Sequence, residues 1–513
     1  VNGTENTTLF ADVFVYDAES AAGMIGPVDV LVRGNRIASI GAEARAGAGA
    51  PTRVIEGHGR HLLVPGLINA HFHSPANHLK GSLPSLPLEL FMLFESPADA
   101  ALTPSPREAY LRTMLAALEM LRTGTTTVQD DAFIMPHPTP EIIDAVMQAY
   151  ADCGIRASVA LDQPELADVE KLPFLDELAA AGGEDLAPLR APAPLDREGL
   201  LEMYDYLLAT WHQAEGGRLT AAVSISAPQR ASVEYFEALD ALSRAHRIPL
   251  FAHMLETKVQ RALSREGERF GGRSLVQYTS DLGLLSDRLN VIHAVWVDDH
   301  DLELIAQAGS VIAHNPVSNL RLGSGVAPFR RMKDFGITVA LGIDEAICDD
   351  SANLWGVVKT AGLIHNVSGL DSDDWPTAAE VLDSLWHGGA SALLQDHQLG
   401  AIREGYLADL ALLDLHTLPF TPLNDVRGQL VYCESGSSIR LTMVDGRVVF
   451  EHGRITMVDE TALLDEAREL FARKQPVIAA ARVAAGGVRP LYQSIVRRAA
   501  NADLGMNRWI GIA

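Results

Sequence analysis

Between residues 62 and 341 eight short apolar runs alternate with segments of helical period, and this order restricts the chain's fold more than any other feature. The runs cover 62–68, 125–128, 156–161, 221–225, 248–251, 290–292, 310–313 and 337–341. Strands alternating with helices predict a parallel sheet covered by helices, and eight of them predict an α/β fold of the (β/α)8 TIM-type barrel class. Among the intervening segments, 106–121, 232–245 and 298–308 carry apolar residues at the three-and-four spacing of a buried helix face.

The chain ends read differently. Short strands at 10–16, 28–32 and 36–40, with a turn at Gly34-Asn35, are matched late by 410–413, 429–433, 439–444 and 447–450, the last two joined at Asp445-Gly446. Both ends are therefore expected to build one small β-sandwich domain. The expected division is 1–61 and 404–458 for that domain, 62–403 for the barrel and 459–513 for a helical C-terminal extension. Within the extension, 460–473 reads as a charged amphipathic helix that Pro476 ends or kinks. Its residues Leu491, Tyr492, Ile495, Arg497, Arg498 and Trp509 are expected to pack on the barrel or on a second subunit. Stretches 81–106 and 173–194 are long enough to act as lids over the barrel mouth.

Charge and cysteine content exclude several functions. With 66 acidic against 41 basic residues, the net charge of -25 repels phosphate backbones and anionic lipid, so nucleic acid is not an expected partner. No apolar run reaches the roughly 20 residues of a membrane span, and the polar start, residues 1–8, lacks the basic-then-apolar order of a signal peptide. The expected location is cytoplasmic. Cys153, Cys348 and Cys433 are widely separated and form no CxxC pair, which predicts reduced thiols rather than a thiolate metal site.

The candidate chemistry lies at strand ends. His71 and His73 follow the first apolar run two residues apart, so in extended chain both imidazoles face the same way. A lone HxH is a weak signal in a chain with 17 histidines. However, His253 closes the fifth run, His293 the sixth and His314 the seventh, and Asp344 follows the eighth. All lie at C-terminal strand ends, the barrel face where active sites are built. His78, His137 and His300 lack this context and read as surface or packing residues.

At this point the sequence resembles the amidohydrolase superfamily, in particular its branch of aminoheterocycle deaminases and triazine-type hydrolases. The matching motifs are PGLINAHFH (65–73), RTGTTTV (122–128), HMLET (253–257), NVIHAVW (290–296), HNPVSNLRLGSG (314–325), ALGID (340–344) and GYLADLALLD (405–414). The resemblance implies that His71, His73, His253 and Asp344 bind a metal, with Glu256 and His293 flanking its water. Binuclear members carry a carboxylated lysine at the fourth strand, where this chain reads SISAPQR (224–230), so one ion is expected. Three imidazoles and a carboxylate suit zinc, with iron(II) also accepted by such ligands.

The implied reaction is hydrolysis of a carbon–nitrogen bond other than a peptide bond. An amino-substituted nitrogen heterocycle would be deaminated by metal-activated water, releasing ammonia. Glu256 would protonate the ring nitrogen, His293 would orient the attacking oxygen, and Asp344 would relay a proton to the departing amine. Gln229, His314 and Asn319 are the candidate substrate contacts. The same ligands would also serve an amide, urea, N-alkylamino or halide leaving group. A reading of another class, a barrel that has lost catalysis and only binds or assembles, is opposed by the complete ligand set. The family also implies a homo-oligomer acting on a small molecule.

Three features depart from the pattern. Glu345 follows the metal aspartate where many deaminases carry a small residue. Gln229 stands where adenosine-type enzymes carry a histidine, which weighs against a nucleoside. The extension beyond about residue 460 has no counterpart with an assignable role. Specificity is expected from loops 77–96, 163–194 and 345–353.

Overall fold

A computed structural model describes residues 6–97, 99–182 and 186–510. Residues 1–5, Ala98, 183–185 and 511–513, which fall in the expected terminal domain, the two expected lids and the extension, lie outside the described residues.

The central part is a mixed α/β fold of parallel strands. In chain order these are β1 (Leu67–His73), β2 (Thr125–Ala132), β3 (Arg156–Leu161), β4 (Leu219–Ala221 continued by Val223–Ser224), β5 (Leu250–Met254), β6 (Leu289–His293), β7 (Val311–His314) and β8 (Val339–Leu341 continued by Asp344–Glu345). They pair in two five-stranded parallel sheets, and the interrupted strands β4 and β8 each give one segment to each sheet. Leu219 pairs with Ala157 of β3, and Val223 pairs with Leu250 of β5. Likewise Ala340 pairs with Ala313 of β7, and Asp344 pairs with Phe72 of β1. The strands are buried along almost their whole length, which is why they read as continuous apolar runs rather than alternating ones.

The helices between them begin where the sequence supplies caps. Ser105 and Glu108 form a capping box at Pro106–Arg122, and Ser232, Thr257 and Asp298 cap Val233–His246, Lys258–Glu266 and Asp299–Ala308. Each cap fixes a loop that leaves the strand ends on one side of the sheet.

Both chain ends join in one nine-stranded sheet. The run 62–68 divides at Gly66: His61–Pro65 pairs in the terminal sheet and only Leu67 onward enters β1. A Cβ at Gly66 would stand 2.1 Å from the Thr126 hydroxyl, so only glycine fits where the two sheets meet. One face of the terminal sheet has its own core, including Phe10, Val30, Leu63, Leu410, Leu412 and Met443.

One expectation fails and another is narrowed. Residues 429–433 are not a strand but part of the helix Val426–Tyr432. The Asp425 carboxylate accepts the Gly428 amide at 3.0 Å and starts that helix, and Val426, Gln429 and Leu430 then share its buried face. Pro476 does not end its helix, which runs from Glu460 to Ala485. Elsewhere the extension packs on its own chain: Leu491, Tyr492 and Ile495 are buried in one cluster with Leu90, Leu172 and Val259. Among the described residues, no helix is long and apolar enough to cross a membrane. All three cysteines are free.

The terminal sheet is tied to the parallel strands by a buried ion pair. Arg156 of β3 donates from Nε and Nη2 to Asp409 at 2.7 and 3.1 Å and reaches Asp445 at 3.1 Å, with both Arg156 and Asp409 almost inaccessible. Removing the cation leaves a buried carboxylate uncompensated. Arg156→Met is expected to lower the unfolding free energy in urea by about 3–5 kcal/mol. A loss under about 1 kcal/mol, the value of an exposed pair, would show that this bridge does not hold the two parts together.

Candidate metal centre and active site

Strand period decides which side chains converge. On β1, Asn69, His71 and His73 share one face, and the Asn69 side-chain Oδ1 accepts the Ile343 amide at 3.0 Å, setting β8 beside it. Gly342 allows this approach, since a Cβ there would lie 2.8 Å from the Cβ of His71 and 2.3 Å from the Asn315 side chain. At the ends of the other strands the backbone turns sharply. Ser226, Leu255, His293 and Asp344 all have positive φ, at 61°, 54°, 73° and 69°. Non-glycine residues in this region cost of order 1–3 kcal/mol each and persist where packing enforces them. Here the turns re-aim the last side chains of β6 and β8 toward the common centre.

Four donor atoms meet there. His253 Nε2 lies 3.2 Å from His71 Nε2 and 3.3 Å from His73 Nε2. Asp344 Oδ1 lies 3.3 Å from His71 Nε2 and 3.4 Å from His73 Nε2. A tetrahedral ion with bonds of about 2.0–2.1 Å separates its ligands by about 3.3–3.4 Å, so the cluster has the dimensions of a single tetrahedral site. The ring nitrogens on the far side fix the tautomers: His73 Nδ1 donates to the Asp131 carbonyl, and His253 Nδ1 donates to the Ser226 carbonyl at 2.8 Å. With an ion bound, both Nε2 lone pairs would point inward. The donor set of three imidazoles and one carboxylate fits zinc or another first-row divalent ion.

The electrostatics point the same way. Burial pushes the His71 imidazolium pKa down to about 3, and burial followed by the neighbouring imidazoles holds His253 well below the usual histidine range. Both are neutral, as ligands must be. Burial also opposes a charge on His73, but the hydrogen bond and charge of Asp344, with Glu345 and Asp162 behind, outweigh it and raise His73 well above the usual range. Burial first, then the charge of Asp162, raises Asp131; burial and Glu95 raise Glu345. This concentration of buried acidic groups around three imidazoles is an environment for a cation.

Glu256 and His293 border the cluster. His293 Nδ1 donates to Asn319 Oδ1 at 2.9 Å, leaving Nε2 at 3.5 Å from Glu256 Oε2 and 3.8 Å from Asp344 Oδ2. Ser318 donates to Asp344 Oδ2, and Ser324 donates to Glu256 Oε1 at 3.4 Å. Burial, then the Asp344 and Glu89 charges, push the Glu256 carboxyl well above its usual range. Beside these groups lies a cavity of about 40 Å³, to whose lining Gln229, Arg230, Glu345 and Cys348 contribute.

The structure thus brings His71, His73, His253, Asp344, Glu256, His293 and Gln229 together. Gln229 Oε1 is buried without a partner, in the cavity wall. His314 is placed elsewhere: its Nε2 is 3.2 Å from His365 Nε2, its ring lies against Phe329, and it does not line this cavity. Asn319 orients His293 rather than lining the cavity. Ser318, Ser324 and Arg230 were not singled out from sequence. The two serines lie within the HNPVSNLRLGSG motif, but nothing in their spacing distinguishes them from turn residues.

Comparison with known proteins follows the same lines. The Amidohydrolase family model matches residues 62–449. A 5-methylthioadenosine/S-adenosylhomocysteine deaminase of Nitratidesulfovibrio vulgaris is 33% identical over 429 residues, 83% of this chain and 88% of that protein. A 5'-deoxyadenosine deaminase of Methanosarcina mazei is 30% identical over 470 residues, 91% of this chain and 98% of that protein. In fold the chain is similar to a zinc-bound adenosine deaminase from Xanthomonas campestris (TM-score 0.78, 24% identity, 91% of this chain and 98% of that one). It is also similar to a triazine hydrolase from Arthrobacter aurescens (TM-score 0.79, 25% identity, 91% and 99%).

A raised His73 pKa carries a consequence for metal uptake. The metal-free protein holds a proton on His73 at pH 7, and a ligand nitrogen must lose it, so zinc binding is expected to release at least about one proton per ion. Calorimetric titration with zinc in two buffers of different ionisation enthalpy reads this number. Identical enthalpies in both buffers would contradict the assigned protonation.

Proposed function

The chain belongs to the amidohydrolase family, and on that premise we propose that its strand-end cluster deaminates an amino-substituted nitrogen heterocycle with water, releasing ammonia. It is a hydrolase of carbon–nitrogen bonds other than peptide bonds. We assign His71, His73, His253 and Asp344 to one divalent ion, zinc in preference, and the observation that carries this is the 3.2–3.4 Å spacing of His253 Nε2 and of Asp344 Oδ1 from both His71 Nε2 and His73 Nε2. The eight parallel strands are read as a closed (β/α)8 barrel, supported by the pairing of β8 with β1, and the terminal sheet as a β-sandwich folded over its own core.

A divalent ion held there supplies Lewis-acid activation of water at neutral pH. The chain's own residues manage the protons. Glu256, protonated by burial and the charges around it, donates from its carboxyl to the ring nitrogen next to the amino-bearing carbon, which makes that carbon electrophilic. His293, its Nδ1 proton committed to Asn319, presents Nε2 to the oxygen that adds. Asp344, with Oδ2 held by Ser318, takes the proton released by water and passes it to the amine, so that ammonia leaves instead of amide ion. The buried amide of Gln229 can donate and accept at the heterocycle edge, the capacity a histidine supplies elsewhere in the family. Its presence therefore leaves open the 6-aminopurine nucleosides that the two relatives' names describe.

Glu256→Gln keeps the size and hydrogen bonding of the side chain but removes the transferable proton. Ammonia release from the substrate found by screening aminopurine nucleosides, aminopyrimidines, pterins and triazines is expected to fall about 100- to 10,000-fold, with metal content per chain unchanged. Full activity in this variant would remove Glu256 from the proton path.

A further inference from the structure

We propose that the C-terminal extension is a specificity element, whose residues 481–492 wall a distal subsite for a large apolar substituent on the aminoheterocycle. This rests on the aminohydrolase reading above and concerns the part of the substrate that does not react.

The cavity at the donor cluster, about 40 Å³, has room for water but not for a heterocycle with its substituent. Next to it lies a second cavity of about 400 Å³, within the range of small-molecule sites. The two share a wall made by Leu88, Met92, Phe133, Gln229, Arg230 and Gln260. Anything held at the donor cluster by one end therefore extends toward the larger space. Ala481, Ala484, Ala485, Val488 and Tyr492 close the far side. The three alanines leave volume where larger residues would fill it.

The lining is apolar in effect. Apart from Arg230 in the shared wall, its charged members are already engaged: Glu89 accepts from Thr257 Oγ1 at 2.6 Å, Lys171 pairs with Asp168 at 2.7 Å, and Asp99 accepts the Ala101 amide at 2.9 Å. An occupant thus meets hydrocarbon from Leu93, Leu172 and the extension rather than free charge.

The extension is held firmly enough to act as a wall. Arg482 donates to the Phe94 carbonyl at 2.8 Å, Lys258 to the Ala500 carbonyl at 2.8 Å, and Arg508 to the carbonyls of Val295 and Val297 at 3.0 and 2.6 Å. Phe94 lies in the segment that follows β1, Lys258 two residues after Glu256, and Val295 and Val297 just after His293 at the end of β6.

The test compares 5'-deoxyadenosine with the same nucleoside bearing a 5'-butylthio group, in the zinc-loaded protein. The kcat/KM ratio is expected to favour the butylthio compound at least about tenfold, since one or two buried methylenes supply that much. Ala484→Phe and Val488→Phe, which fill the cavity, are each expected to reduce the ratio toward one. Taking the ratio on a single preparation makes it independent of the folded fraction. A wild-type ratio near one, or a ratio unchanged in both variants, overturns the subsite while leaving the aminohydrolase reading in place. If neither compound releases ammonia, the 6-aminopurine nucleoside form of that reading fails instead. Calorimetric binding of the same pair then decides the subsite: a butylthio preference lost in the variants supports it, and equal binding overturns it.

Discussion

The nitrogens of His71 and His73 each face both the His253 nitrogen and an Asp344 carboxylate oxygen across 3.2–3.4 Å in a buried centre, and the surrounding structure holds them in that relation. Lone pairs this close, among further buried acids, repel unless a cation lies between them. The arrangement survives because three of the four donors are fixed from behind: His73 and His253 by the Asp131 and Ser226 carbonyls, and the aspartate by Ser318. The positive φ values at the strand ends contribute to the same aim, each spending some stability to point a side chain inward.

From this constraint the division of labour follows. In the proposed reaction the cluster would set where water is activated, and the groups just outside it where protons go. Glu256 and His293 stand 3.5 Å apart yet shift in opposite senses: burial and the neighbouring carboxylates raise the acid well above its usual range, while burial lowers the imidazole, whose tautomer Asn319 fixes. A pair of titratable groups driven in opposite senses is what acid–base work at neutral pH requires. The extension is hydrogen-bonded to the chain beside both, through Lys258 to Ala500 and through Arg508 to Val295 and Val297.

The sequence made much of this legible, for a physical reason. Parallel strands buried on both faces show as apolar runs, and polar residues at or just after the ends of such runs stand out against them, as with His71, His73, His253 and Asp344. What did not show was anything set by a turn or a long-range contact. The run 429–433 carries β-branched and aromatic residues that read as a strand, but the Asp425 cap and packing on neighbouring helices make it helical. His314 sits at a strand end like the others, yet its ring lies against His365 and Phe329. The extension gave no chemical pattern at all, since alanines that leave a cavity open are indistinguishable in sequence from alanines that favour a helix.

The central claim is that one ion is held by three imidazoles and Asp344. X-ray absorption at the zinc edge of the loaded protein tests it most directly. The account predicts a low-coordinate shell of nitrogen and oxygen at about 2.0–2.1 Å with the outer-sphere scattering of three imidazole rings. A shell containing sulfur, or one of six oxygens without imidazole scattering, would contradict it.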